Sequence, residues 1–472
     1  MKRRRLIGGL TLTAALALVG CAETVFYLGN GDRVSISGSS VTRTDSGGIT
    51  LNGQIPIATQ PAAIQGPRYA PALLDPLFES TAGAKGVVMG DIDNDGLLDA
   101  ASISDESQPV QIHLRNADTG LFDTLSIGGA APISRTVDIE IADFNSDGRL
   151  DVAVLINDTA FVPPPNTDRE GAVAILLQGA DPRNPFMWTR VVPANMRRGG
   201  DSIGYTDMVV ADYDGVLGPD IIFLSNEPDS VRNVFLFPNP GPARVTDEST
   251  ASWVGNAIEI DASDIMRIEN ADVDLDGDTD VFMCAPPAKS FNIRWLRNPL
   301  AESGVAAVTG GRWTRRIVGQ QQDGGDVIAA GDIDGDGDVD LAASRADIKL
   351  TQWFRNPGVT ALASEVFPIP WEVFNIGALN SGDINQVRLA DLDSDGTLDC
   401  FLTASGNVVG FQRQEDVENY WTPFSILATN PVAEIGKVGF ADFNGDDRLD
   451  FLAPFDREGL AQDQFVIFGR QE

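Results

Sequence analysis

The chain has 472 residues, and its 34 Lys plus Arg stand against 68 Asp plus Glu, for a formal net charge of −34. Charge of that sign repels polyanions, which excludes nucleic acid as a partner. A single histidine, His113, excludes acid/base catalysis shared among several histidines.

The N-terminus reads Met-Lys-Arg-Arg-Arg, then an apolar run from Leu6 to Val19, then Gly20-Cys21. A basic stretch followed by an apolar run of this length is a secretory signal and not a bilayer span. Leu18-Val-Gly-Cys21 resembles the bacterial lipobox, whose Cys carries lipid, so residues 1–21 are expected to be a lipoprotein signal peptide and Cys21 the lipidation site. That resemblance implies export to the bacterial cell envelope, with the chain lipid-anchored at the outer membrane or cell surface and no other membrane contact. Residues 22–66, rich in Gly, Ser and Thr, read as a flexible tether.

From Asp91 onward a nine-residue pattern, D-x-[DN]-x-D-G-x-x-D, recurs with starts at Asp91, Asp143, Asp212, Asp272, Asp332, Asp391 and Asp442. A period of roughly 50 to 70 residues marks a supersecondary unit that buries its apolar faces against its neighbours. In Asp332-Ile-Asp334-Gly-Asp336-Gly-Asp338-Val-Asp340, carboxylates at positions one, three, five and nine converge because Gly at position six permits a sharp turn. Without a cation such carboxylates repel one another. Calcium accepts about six to eight oxygens, and the carbonyl of position seven plus water would complete its shell, whereas magnesium demands a tighter octahedron. An EF-hand is excluded, because position twelve is Ser102 or Ala343 where that motif needs Glu, and the flanking runs are too short and apolar for its helices.

The expected ligands are Asp91, Asp93, Asp95 and Asp99; Asp143, Asn145, Asp147 and Asp151; Asp212, Asp214 and Asp220; Asp272, Asp274, Asp276 and Asp280. They continue with Asp332, Asp334, Asp336 and Asp340; Asp391, Asp393, Asp395 and Asp399; and Asp442, Asn444, Asp446 and Asp450, for up to seven calcium ions. Val216 at position five makes the Asp212 loop the weakest, and Asp447 replaces the usual Gly in the last loop.

Apolar runs before and after each loop, such as Val327–Gly331 and Val339–Ala343, read as buried strands. A third strand ends at Asn-Pro turns, as in Thr351-Gln-Trp-Phe-Arg-Asn-Pro-Gly358. A fourth is opened by Trp188, Trp253, Trp313, Trp371 or Trp421, with Phe122 in the same place, and these aromatics are expected to pack between neighbouring units. Four-stranded units in a ring make a β-propeller, and seven loops imply seven blades over residues 67–472. The last unit lacks a fourth strand, which the segment from Pro67 to Ser80 is placed to supply. Cys284 and Cys400 fall in units that are not adjacent, so two buried thiols are expected.

The units Gly90-Asp91-Ile-Asp-Asn-Asp-Gly-Leu-Leu-Asp99 and Ala142-Asp143-Phe-Asn-Ser-Asp-Gly-Arg-Leu-Asp151 resemble FG-GAP or VCBS repeats, the calcium-loop repeats of integrin α-chain propellers and of many bacterial surface proteins. The resemblance implies an all-β, calcium-stabilised, seven-bladed propeller with the metal ligands named above. It implies no single activity. The expected function is a non-enzymatic protein- or glycan-binding or scaffolding module, monomeric, with a polysaccharide lyase or hydrolase as the alternative. Arg197 with Arg198, or Arg312 with Arg315 and Arg316, would be the basic patches for an anionic polysaccharide, against the simpler reading of solvated charge.

Overall fold

The structure, a computed structural model, describes residues 84–456 apart from 105–109, 129–132, 134–135, 158–169, 200–203, 227–231, 261–264, 286–292, 320–324, 363–370, 380–383, 406, 416, 419, 429–433 and 444–445. It also describes the strands Thr24–Tyr27, Arg33–Ser37, Ser40–Thr44, Ile57–Ala58, Arg68–Leu73 and Gln464–Gln471. Cys21, the expected signal segment, most of the expected tether and Asn444 lie outside the described residues.

Among the described residues, six sheets each take four consecutive antiparallel strands. The first runs Ala84–Gly90, Asp99–Ser104, Val110–Arg115, Phe122–Ile127, and the fourth runs Arg267–Ala271, Asp280–Cys284, Ile293–Arg297, Thr314–Ile317. The second strand of a unit is covered on both faces and, after the loop acid that opens it, is mostly apolar or small, as in Asp99–Ser104, where every residue is buried. The fourth strand lies at the outside, and Phe122–Ile127 accordingly buries its ends and exposes positions between.

A further sheet is not such a unit. Asp450–Asp456 pairs with Gln464–Gln471, which pairs with Arg68–Leu73 from the start of the repeat region. Its inner strand is broken into Glu434–Ile435 and Gly439–Ala441. The expected seven blades are corrected to six that are continuous in the chain; the closing sheet is assembled from both ends, its outer strand Arg68–Leu73 coming from the segment placed to supply it. The break has a local cause, since Gly436 lies so close to the Lys85 carbonyl that a Cβ there would stand 1.8 Å from it. Lys437 instead bridges Gly86 of the first sheet in parallel.

Apolar clusters lie between each sheet and the next. Trp188 shares one with Ile92, Trp371 with Val273, and Trp421 with Ile333. Trp253 meets Phe144 edge-on at 6.4 Å, Trp313 meets Tyr213 at 6.0 Å, and Phe122 meets Phe443 at 6.3 Å. The repeated aromatic of one sheet thus meets, or shares an apolar cluster with, the second loop residue of the sheet before it, which is the packing between neighbours expected of these positions. With the sheets joined face to face in cyclic order, the molecule is an all-β β-propeller.

Candidate metal centres

Each nine-residue loop joins the first and second strands of its sheet. Its shape rests on two left-handed backbone positions. Position six is Gly96, Gly148, Gly277, Gly337 or Gly396, with Leu217 (φ 69°) and Asp447 (φ 60°) as the exceptions. Position four is left-handed as well, at Asn94, Ser146, Gly215, Leu275, Gly335 and Ser394. Sequence reading missed that second position, because its residue type varies.

This geometry turns backbone amides onto the acids. Asp91 accepts the N–H groups of Asp95 and Gly96, both at 3.0 Å, and Asp391 accepts those of Asp395 and Gly396 at 3.1 and 2.9 Å. Position five accepts from position seven, as Leu97 N–H donates to Asp95 at 2.9 Å. Asp99 at position nine accepts Ile92 N–H on one oxygen at 2.8 Å and Arg115 N–H on the other at 2.7 Å, which ties the loop to the third strand. Asp151, Asp220, Asp280, Asp340 and Asp399 make the same two-sided contact. Burial pushes these carboxyls up, Asp99 to about 6, Asp151, Asp220, Asp340 and Asp399 to about 7 and Asp280 to about 9, although their backbone donors pull the other way.

Among the described residues, carboxylate oxygens converge within 4.8 Å in five of the loops: Asp91, Asp93 and Asp99; Asp212, Asp214 and Asp220; Asp272, Asp274 and Asp276; Asp332, Asp334 and Asp336; Asp391, Asp393 and Asp399. The Asp212 loop is therefore as compact as the others despite Val216. Asp95 and Asp395 stay outside their groups, as do Asp280 and Asp340. In the Asp143 loop, Asn145 Oδ1 and Asp143 both accept the Asp147 N–H at 3.0 Å, and Asp147 is ion-paired with Arg149. The Asp442 loop keeps the same frame, with Asp446 and Asp447 N–H groups on Asp442 and Phe443 N–H on Asp450.

The donor set fits a hard cation. Every side-chain donor is oxygen, and Oδ1 of Asp93 and Oδ1 of Asp274, both buried at position three, have no hydrogen-bond donor. Buried carboxylate oxygens in that state are destabilising unless a positive group meets them.

A feature unseen in the sequence joins the loops to one another. Asn298 ends a third strand; its Nδ2 donates to the Thr279 carbonyl of its own loop at 3.0 Å and to the Tyr213 carbonyl of the preceding sheet's loop at 2.9 Å. Asn356 reaches Val273, Asn239 reaches Phe144, and Gln178 reaches Ile92 in the same way. Arg413 takes this place in the sixth sheet and donates to the Asp334 carbonyl at 2.8 Å. The Asn-Pro motif was legible as a turn, but the partner is a residue some 80 to 95 positions away.

A second set of ties rings the axis. Asp138 accepts Met208 N–H, Asp207 accepts Ile268 N–H and Gln386 accepts Val438 N–H, each from the next sheet. Of the expected basic patches, Arg197 is paired with Glu248 and Arg315 lies 3.7 Å from Glu259. Cys284 and Cys400 are buried free thiols.

Residues 91–154 match the model of the FG-GAP-like repeat. No curated protein matches the chain. Among solved structures, BBS1N in complex with ARL6DN is similar at 10% identity and TM-score 0.49, over 82% of this chain and 93% of that one. A lectin from Agrocybe aegerita, described as recognising non-reducing terminal N-acetylglucosamine, is similar at 14% identity and TM-score 0.44, over 73% of this chain and 81% of the lectin. Residues 91–154 thus carry an FG-GAP-like repeat, and the sheet order makes the molecule a β-propeller.

Proposed function

We propose that the protein is a calcium-loaded, non-enzymatic binding or scaffolding module of the bacterial envelope. It is monomeric and lipid-anchored through Cys21, with one cation per loop. A protein or glycan is its ligand. The observation that carries the calcium part is the convergence of carboxylates around buried oxygens that no donor meets, at Asp93 and Asp274.

Two further observations support binding over catalysis. His113 is buried, with Nε2 2.8 Å from Ser102 Oγ and Nδ1 2.9 Å from Thr124 Oγ1, so it is spent inside the first sheet. The end of the propeller that carries the metal loops also carries the connections between third and fourth strands, and these expose Leu121 (53%), Phe186 (95%), Val254 (65%) and Tyr420 (53%). Scattered apolar side chains at the same end as the loops suit recognition.

The test incubates the chain from Ala22 onward with bacterial and plant polysaccharides in calcium and scores retention and new chain ends. Retention without cleavage supports a glycan-binding module, and a protein partner becomes the working ligand if nothing is retained. New chain ends would replace this proposal with a lyase or hydrolase.

A further inference from the structure

Position seven of the loops was assigned only a backbone carbonyl. It holds Leu97, Arg149, Gly218, Thr397 and Arg448 in five loops, but Asp278 in the fourth and Asp338 in the fifth. The two acids are placed differently. Asp278 is only 5% exposed, and its Oδ2 accepts the Ala301 N–H at 2.8 Å, which fixes the side chain. Its Oδ1 is buried without a donor. Asp338 is half-buried.

The surroundings of Asp278 are acidic. Its own N–H donates to Asp276 Oδ1 at 3.2 Å, and the Asp276 and Asp274 carboxylates are the charges that bear on it. Asp274, 6% exposed, also has a buried Oδ1 without a donor. Arg297 engages the opposite oxygens: it is 2.5 Å from Asp274 Oδ2 and 3.1 Å from Asp276 Oδ2. Two buried oxygens that lack donors therefore belong to carboxylates that repel each other, Asp274 within the converging Asp272–Asp274–Asp276 group and Asp278 next to it but outside it. A divalent cation is the group that satisfies both at once.

We propose that the Asp278 side chain is itself a ligand to the cation of the fourth loop, which makes this the tightest of the described sites. The proposal rests on the reading of the loops as cation sites. Asp338 serves as the internal control, being the same residue at the same loop position with access to water.

Calcium titration calorimetry on the full chain, Asp278→Asn and Asp338→Asn tests it. Asp278→Asn is expected to weaken the tightest binding step by roughly ten-fold or more, the scale of losing a group that supports a metal. Asp338→Asn should leave that step within about three-fold, less than 1 kcal/mol by the affinity relation. The cation-free melting temperature of Asp278→Asn should equal or exceed that of the parent, because the change removes repulsion and keeps the acceptor for Ala301. Should Asp278→Asn not fold, Asp278→Ser, which also keeps an acceptor, is titrated against the same thresholds. An unchanged tightest step in the Asp278 variant, or an equal loss in both variants, overturns the proposal. Absence of any calcium binding by the parent chain overturns instead the cation reading of the loops, and this proposal with it.

Discussion

Lys437 of the closing sheet extends past the first sheet to place its ammonium 2.9 Å from Asp138 and 2.6 Å from Glu140 of the second. The route is open because the first sheet has Gly86 at the crossing, 3.5 Å from the Lys437 Cβ when a Cβ is built on it. Arg388 of the sixth sheet likewise skips the fifth to reach Glu269 of the fourth at 3.4 Å. Lys437→Met should therefore cost about 2 to 4 kcal/mol, somewhat below the usual loss for a fully buried pair, because it strands two largely buried carboxylates. Urea unfolding of Lys437→Met, Glu140→Gln and the double variant measures it, and strictly additive losses would show that the pair is not coupled.

The Asn298 bridge makes a prediction that depends on sign. Asn298→Ala removes the donor from two carbonyls and should lower stability by about 2 kcal/mol. Asn298→Asp keeps the shape but replaces the donor by a charged acceptor facing those carbonyls, so it should be worse than Ala. A Tm for Asn298→Asp at or above that of Asn298→Ala would contradict the bridge.

Calcium should raise the melting temperature and chelation should lower it, because a ligand that binds only the folded form stabilises it by mass action. Differential scanning calorimetry in calcium and in chelator checks this. Identical curves would remove calcium from the account.

In the cation-free chain, the pH dependence follows from the position-nine acids. Their folded values, from about 6 at Asp99 to about 9 at Asp280, lie above the value of about 3.9 for an unfolded Asp. The folded form thus holds protons that the unfolded form releases, so stability rises as pH falls from about 9 to 6 and is lost as pH climbs back through that window. In saturating calcium the proton competes with the ion and acidification should destabilise. Melting curves across that range, with and without calcium, should slope in opposite directions.

Leu275 sits at position four with φ 54° and is 48% exposed. Left-handed backbone is unfavourable for Leu, and Asn94 holds the same position in the first loop at φ 57°. Leu275→Asn should stabilise the protein by about 0.5 to 1 kcal/mol, measured by urea unfolding in calcium. A loss of stability would mean that Leu275 packs against something the fold needs.

What the sequence made legible was whatever is local to one repeat. The loop acids, the strands on either side and the aromatic of the fourth strand each recur with fixed spacing, and Trp253 and Trp313 pack where that spacing placed them. The contacts between sheets were not legible. Asn298 finds Tyr213, and Asp207 finds Ile268, only because the ring brings distant segments into line. Their residue types vary as well: Gln178, Asn239 and Arg413 do related work with different side chains. Nor were the backbone amides that hold both oxygens of Asp99 legible, because the second of them comes into place only with the third strand.

The pairing of Arg68–Leu73 with Gln464–Gln471 sets the order in which the molecule can be completed. Whether from a ribosome or from an export channel, the chain emerges from its N-terminal side, so this edge strand appears before the six continuous sheets and finds its partner only after all of them. Each Asn or Gln bridge points backward, which lets a new sheet fasten to its predecessor as it emerges. The seam between the two ends cannot form this way. Until Gln464–Gln471 is released the nascent molecule is an open arc with a bare sheet edge, and a chain stopped short of that strand would keep the edge and with it a tendency to pair with another chain.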